Sequence, residues 1–257
     1  MNLPVRIPDR STKPRTRGRT HIIDKGLPVG VIDDQMQLGG GYVDLAKLGW
    51  GTSVVTPNLA EKLDMYRSHD VDVCFGGTLF ELAHLQDRVD EYVAWLRDLN
   101  ITALEVSDGV LEMEGSAKVE IIEKFSTELT VFSEVGSKDA AAIVTPARWV
   151  RAIKDDLAAG AAMVILEGRE SGTAGMYRES GEIRMGLIDE ILESGIPVDR
   201  LVFEAPTKAQ QVWLINHIGP DVNLANIAPE DALPLETLRL GLRADTLLTI
   251  HRPAEHG

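Results

Sequence analysis

Tyr42-Val43-Asp44-Leu45-Ala46-Lys47-Leu48 runs into Gly49-Trp50-Gly51-Thr52-Ser53, and Thr56-Pro57 then leads into Leu59, Leu63 and Tyr66. The first run is short, apolar and β-prone, and it stops at polar and glycine residues. In the last part, apolar residues fall at helical spacing behind a threonine N-cap and a proline at the first helical position. Strand, polar glycine turn, amphipathic helix: this unit decides the fold, because the rest of the chain repeats it.

Seven further runs read as strands: Thr20–Asp24, Val71–Phe75, Ala103–Ser107, Thr130–Val135, Met163–Glu167, Arg200–Glu204 and Asp221–Asn226. Helical patterns separate them. Leu82, Leu85, Val89, Val93 and Leu96 lie three and four apart, as a buried stripe would. Val119, Ile122 and Phe125 repeat the pattern, as do Leu187, Ile188, Ile191 and Leu192. Thr145-Pro146 opens a helix through Trp149, Ile153 and Leu157 that Gly160 ends. Strands alternating with helices imply a parallel sheet, since each crossover returns the chain to the same end. Eight such units in 257 residues predict one closed (β/α)8 TIM barrel over residues 20–250. A doubly wound open sheet is the alternative, but its G-x-G-x-x-G turn is absent, the first strand being followed by Asp24-Lys25-Gly26-Leu27-Pro28.

The ends stand apart. Residues 1–19 crowd Arg6, Arg10, Lys13, Arg15, Arg17 and Arg19 among proline, serine and threonine. They read as a flexible basic extension, or alternatively as a strap over the barrel bottom or a partner contact. Residues 251–257 read as a short tail. Hydrophobic residues make up 44 % of the chain, enough for a large core. There is no apolar run long enough to span a bilayer, and no apolar secretory stretch near the N-terminus. The single cysteine, Cys74, rules out an intramolecular disulfide and reads as a core residue, so a cytoplasmic location is expected. The net charge of −14 repels nucleic acid and anionic membranes, although one cleft can still reverse the sign locally.

Barrel active sites stand at the carboxyl ends of the strands, and the unusual residues of this chain collect there. Glu105, Glu134, Glu167 and Glu204 end four successive strands. Converging carboxylates are costly unless they are paired or bind a metal, and oxygen ligands suit Mg²⁺. The alternative is a set of ion pairs that neutralise Lys25, Lys47 and Arg169. Those cations, with Lys138, occupy the same rim and point to an anion site. Arg169 in its glycine-flanked loop suits two-pronged recognition of a phosphate or carboxylate. Gly76 and Gly77, followed by Thr78, would let backbone N–H groups approach an oxyanion. Ser107, Asn223 and Asn226 complete the expected substrate-binding set. Lys138 or Lys47 would also suit a Schiff base. Arg239 and Arg243 read as surface or salt-bridge residues, or as further cations within reach of phosphate. Scattered histidines exclude a zinc hydrolase motif, and no G-x-S-x-G elbow occurs.

Taken together, these strings resemble the phosphosulfolactate synthase family. They are Asp24-Lys25-Gly26-Leu27-Pro28, Lys47-x-Gly49-Trp50-Gly51-Thr52-Ser53, Gly76-Gly77-Thr78-Leu79-Phe80-Glu81, Glu105-x-Ser107-Asp108-Gly109, Glu134-Val135-Gly136, Glu167-Gly168-Arg169-Glu170-Ser171-Gly172, Phe203-Glu204-Ala205-Pro206 and Asn223-Leu224-Ala225-Asn226-Ile227, with Leu235-Glu236-Thr237-Leu238-Arg239-x-Gly241-Leu242-Arg243 after them. The resemblance covers roughly residues 21 to 247 and leaves the basic extension outside. It implies Mg²⁺-dependent addition of sulfite to phosphoenolpyruvate, the start of coenzyme M biosynthesis. By the same resemblance, Lys138 is the acid that protonates the intermediate. The family often shows a lysine pair after Glu-Val-Gly, whereas this chain has Ser137 before Lys138. The family extends to plant heat-stress-associated relatives thought to act through protein partners. A barrel lyase or aldolase on another phosphorylated substrate is the remaining alternative. Barrels commonly assemble through their outer helices, so a homo-oligomer stays open.

Overall fold

The computed structural model describes residues 4–111, 113, 116–137 and 145–252. All eight expected strands form: β1 (Thr20–Asp24), β2 (Leu45–Leu48), β3 (Asp72–Phe75), β4 (Ala103–Val106), β5 (Thr130–Val135), β6 (Met163–Leu166), β7 (Leu201–Glu204) and β8 (Leu224–Ile227). Most are trimmed by one to three residues against the sequence pattern. The helices are α1 (Val29–Gly39), α2 (Thr52–Val55), α3 (Leu59–Ser68), α4 (Gly77–Leu85), α5 (Val89–Asp98), α6 (Ala117–Phe125), α7 (Pro146–Ala158), α8 (Met185–Glu193), α9 (Lys208–Ile218), α10 (Ala232–Arg239) and α11 (Ala244–His251).

Every ladder is parallel, in the order β3-β2-β1-β8-β7-β6-β5-β4, and β3 and β4 lie side by side to bring the sheet round into a nearly closed barrel. Two apolar layers account for the closure. Outward residues such as Ile22, Leu104, Val164 and Phe203 pack under the helices. Inward residues from seven strands, among them Leu45, Cys74, Ala103, Phe132, Ile165, Val202 and Ala225, fill the barrel itself. Strands buried on both faces need continuous apolar runs, which is why Met163-Val164-Ile165-Leu166 is buried throughout.

Local expectations hold unevenly. Thr145 stands at the N-cap position of α7, with Pro146 in its first turn, although its side chain makes no capping hydrogen bond. Thr56-Pro57 does not start a helix: the Thr56 hydroxyl donates back to the Thr52 carbonyl at 2.8 Å, closing α2, and α3 begins at Leu59. The apolar series from Leu82 to Leu96 belongs to two helices. The chain breaks at Gln86–Arg88, so Leu82 and Leu85 are 47 % and 65 % exposed while Val93 and Leu96 are buried. No helix among the described residues is long and apolar enough to cross a membrane.

The basic extension crosses the amino-terminal mouth as a strap. Arg10 grips Glu236 and Asp221 at 2.9 and 2.7 Å. Arg15 reaches Asp44 at 3.1 Å and the Gly41 carbonyl at 2.8 Å. Arg239, expected at the surface or near phosphate, is fully buried at the same end. Its guanidinium donates to the carbonyls of Pro220, Val222 and Arg19, at 2.5, 2.7 and 3.1 Å. Arg243 precedes α11, beside Asp245.

Candidate active site

Side chains alternate across a strand, so a residue two places after an inward one also points inward. Lys47 follows Leu45, Glu105 follows Ala103, Glu134 follows Phe132, Glu167 follows Ile165 and Glu204 follows Val202. Each apolar member lies in the barrel interior. One ammonium and four carboxylates therefore form the next layer up, at the carboxyl ends, and all are buried. Above them is a cavity of about 240 Å³. Its walls carry Lys47, Gly76, Gly77, Thr78, the four glutamates, Arg169 and Asn226, ten of the fourteen expected site residues.

Oxygen atoms of Glu134, Glu167 and Glu204 lie within 4.8 Å of one another. Like charges this close in a buried site repel unless a cation sits among them. Lys47 supplies a positive charge within this layer, with its Nζ 3.1 Å from Glu204 Oε1 and 3.4 Å from Glu105 Oε2. Burial works against that ammonium, but Glu105, Glu204 and Glu134 outweigh it and hold the Lys47 pKa well above the ordinary lysine range. Glu105 moves upward, because burial and the neighbouring Glu134 and Glu204 together exceed the pull of Lys47. The donor set of three converging carboxylates fits a hard divalent cation.

Backbone groups aim the carboxylates. The Gly77 N–H donates to Glu105 Oε1 at 2.7 Å, the Gly168 N–H to Glu204 Oε2 at 2.9 Å, and the Arg169 N–H to Glu167 Oε1 at 2.6 Å. Gly77 thus spends its N–H on Glu105 and not on a substrate oxyanion. A Cβ at Gly77 would lie 2.5 Å from Ser107 Cβ and 3.1 Å from carboxylate oxygens of Glu105 and Glu134. Only glycine lets α4 start so close to these side chains. The loop after β6 is held down by Tyr177, whose hydroxyl donates to the Glu204 carbonyl at 2.5 Å.

Three expected residues fall outside the cavity walls, and a fourth is not among the described residues. Lys25 is exposed beyond β1 on the same mouth. Ser107 is buried beneath Gly77 and donates to Glu81 Oε1 at 2.8 Å. Asn223 lies at the opposite mouth, because β8 starts later than its pattern suggested. Its amide accepts from the Arg19 N–H at 2.9 Å and donates to the Leu201 carbonyl at 2.9 Å. Lys138 lies outside the described residues.

Trp50, Glu170, Ile23 and Val110, which are not among the expected site residues, also line the cavity. Trp50 and Glu170 stood inside motifs already quoted, so their position after β2 and β6 was the available signal. Nor is Glu81 among the expected residues; its Oε2 takes the N–H groups of Val110 and Leu111 at 2.9 and 3.0 Å and shapes the loop after β4. Asp24 does the same after β1, binding the N–H groups of Gly26 and Leu27 while Lys62 and Tyr66 hold its other oxygen.

Fold and mouth together define a (β/α)8-barrel enzyme built around a buried carboxylate basin. Residues 8–245 match the model of the (2R)-phospho-3-sulfolactate synthase (ComA) family. The chain is 44 % identical over 244 residues to phosphosulfolactate synthase of Bacillus subtilis (strain 168), covering 94 % of this chain and 97 % of that one. It is 47 % identical over 246 residues to the enzyme of that name from Methanothermobacter thermautotrophicus, covering 93 % and 95 %. The chain belongs to this family. The family match begins at residue 8, so it takes in much of the basic strap that the sequence resemblance left outside. Among solved structures, 3-hexulose-6-phosphate synthase from Salmonella typhimurium superposes with a TM-score of 0.56 at 16 % identity, covering 86 % of this chain and 98 % of that one. The YdjI aldolase from Escherichia coli K12 gives 0.55 at 11 %, covering 84 % and 76 %. At such identities the likeness is one of fold alone.

Proposed function

We propose that this protein adds sulfite to C3 of phosphoenolpyruvate, with Mg²⁺, giving (2R)-phospho-3-sulfolactate. The observation that carries the reading is the cluster of Glu134, Glu167 and Glu204 beside Lys47, in a chain of this family. Both reactants are anions and this protein is acidic, so the basin must gather positive charge before they can meet.

The sulfur lone pair of sulfite forms the new bond to C3. The π electrons of the substrate double bond move to C2 and into the carboxylate, and a proton must then reach C2. Glu134, Glu167 and Glu204 would hold the metal, which supplies positive charge beside the substrate carboxylate as negative charge grows there. Glu105 and Lys47 brace this set from the side, through the Lys47 contacts to Glu105 and Glu204. Arg169, on the rim, meets the phosphate or sulfite oxygens with its guanidinium. The role of proton donor rests on the family resemblance and goes to Lys138.

A phosphorus NMR assay with phosphoenolpyruvate, sulfite and Mg²⁺, each left out in turn, tests the reading. A new phosphate ester resonance should need all three. Consumption of phosphoenolpyruvate without sulfite, or no product with all three, refutes it. Lys138→Ala should lower kcat by about 10²–10⁴-fold and still bind phosphoenolpyruvate. Unchanged turnover would remove Lys138 as the acid.

A further inference from the structure

Six non-glycine residues among those described adopt a left-handed backbone, and they divide into two groups. Asp70, Asp87 and Asn100 follow α3, α4 and α5, each donating its N–H to a carbonyl three residues back. They are exposed, and Asp and Asn tolerate this conformation at helix ends. The other three are Trp50 (φ 52°), Arg169 (φ 58°) and Asn226 (φ 57°), at the ends of β2, β6 and β8, and all three line the basin. For residues as bulky as Trp and Arg, the left-handed region is strained. A strained backbone persists only where its surroundings hold it, and such positions cluster where ligands are gripped.

The hold on Trp50 is visible. The Gly49 N–H donates to the Asp24 carbonyl at 2.9 Å, and the Gly76 N–H to the Leu48 carbonyl at 2.9 Å. The Thr52 hydroxyl closes the turn on the Gly49 carbonyl at 2.8 Å. A Cβ on Gly76 would come within 2.6 Å of the Trp50 nitrogen, so a glycine in the neighbouring loop is what admits this backbone. Nothing in the fold calls for tryptophan here: the side chain is 39 % exposed and stands at the cavity, not in the core. Among the residues that line the basin, which include the aliphatic Ile23 and Val110, this indole is the one aromatic ring and offers a flat apolar surface.

We infer that Trp50 is a substrate-contact residue whose indole covers the unsaturated face of a planar three-carbon enol carboxylate and excludes water from it. The bound ligand would be flat and conjugated at one end and anionic at the other, the shape of phosphoenolpyruvate. The inference rests on the proposed function only for the identity of that ligand.

Two measurements on the full-length protein test it. First, tryptophan emission is followed as phosphoenolpyruvate is added with Mg²⁺ and no sulfite. A change in the wild type that disappears in Trp50→Phe is expected; the same change in both proteins overturns the inference. Second, Trp50→Ala should raise KM for phosphoenolpyruvate about tenfold, and Trp50→Phe should recover most of the loss. Trp50→Gly should share the KM defect yet melt no lower than the wild type, because glycine carries no penalty at this φ. Wild-type KM and kcat in Trp50→Ala overturn the inference while the sulfite addition stands. A wild type that is inert with sulfite, but whose Trp50 emission still answers phosphoenolpyruvate, supports the contact and refutes the chemistry.

Discussion

The two mouths of the barrel handle charge in opposite ways. At the amino-terminal mouth, opposite charges are paired: Arg10 with Glu236 and Asp221, Arg15 with Asp44. There Arg239 and Asn223 spend their donors on backbone carbonyls of neighbouring segments. At the carboxyl-terminal mouth, buried carboxylates converge beside Lys47, and bulky residues are held in a left-handed backbone. The first arrangement lowers the energy of the folded chain, and the second raises it in return for a site that can hold cations and anions. Stability and activity should therefore separate by mouth, as the trade-off between preorganised sites and folding leads one to expect.

The sharpest way to break the comparison is Glu167→Gln. It removes one carboxylate from the cluster with little change of shape. Turnover should fall by about 10³-fold, the scale of lost electrostatic stabilisation at a reacting centre. The melting temperature should stay level or rise, as repulsion among the carboxylates is relieved. A large drop in melting temperature would make the cluster a structural element and erase the contrast.

Arg239→Met is the mirror test. It removes the guanidinium donor from the carbonyls of Pro220 and Val222, and from that of Arg19, which keeps the Leu224 N–H, and should cost about 3–5 kcal/mol in urea unfolding, the scale for breaking a buried, hydrogen-bonded charge. Burial, and then Arg10, already lower the Arg239 pKa to about 9, so it remains a cation at neutral pH. The kcat/KM of the folded variant should match the wild type. A catalytic loss per folded molecule would tie this mouth to the chemistry.

An effect that develops only on acidification sharpens the boundary between the mouths. His21 stands two residues before Ile23, one layer beneath the basin, with its ring edge-on to Phe132 at 5.4 Å. Burial, followed by Arg19 and Lys47, pushes its pKa down to about 3. Between pH 6.5 and 3 the unfolded chain takes up a proton here that the folded chain refuses, so stability falls as pH falls through that window. The contribution is about 1.4 kcal/mol per pH unit. His21→Leu should flatten the acid side of the stability curve by one proton, as read by urea titrations at several pH values. An unchanged slope would show that His21 is protonated in the folded barrel.

Much of this was legible from residue order alone. Leu45 and Lys47, or Phe132 and Glu134, share a strand face by simple alternation, so the convergence of four carboxylates follows once a barrel is accepted. Where the reading slipped, a non-local contact was responsible. The Leu82–Leu96 periodicity concealed a helix break. The Thr56-Pro57 signal yielded to a back-bond onto Thr52. Arg239 looked solvated because nothing near it in the chain announces the carbonyls of Pro220 and Arg19, the latter 220 positions away.

Sequence by itself determined the eight-unit architecture, the strand ends that would carry function and the family to which the chain belongs, because side-chain alternation, helical spacing and turn residues act over short separations. Tertiary structure alone decided which charges are paired and which are set against each other. It put Asn223 and Arg239 at one mouth, kept Lys47 as an ammonium among carboxylates, and pinned Trp50 through a glycine of the next loop. Those outcomes depend on distances of a few ångströms between segments far apart in the chain, and the interaction of buried charges changes steeply over that range.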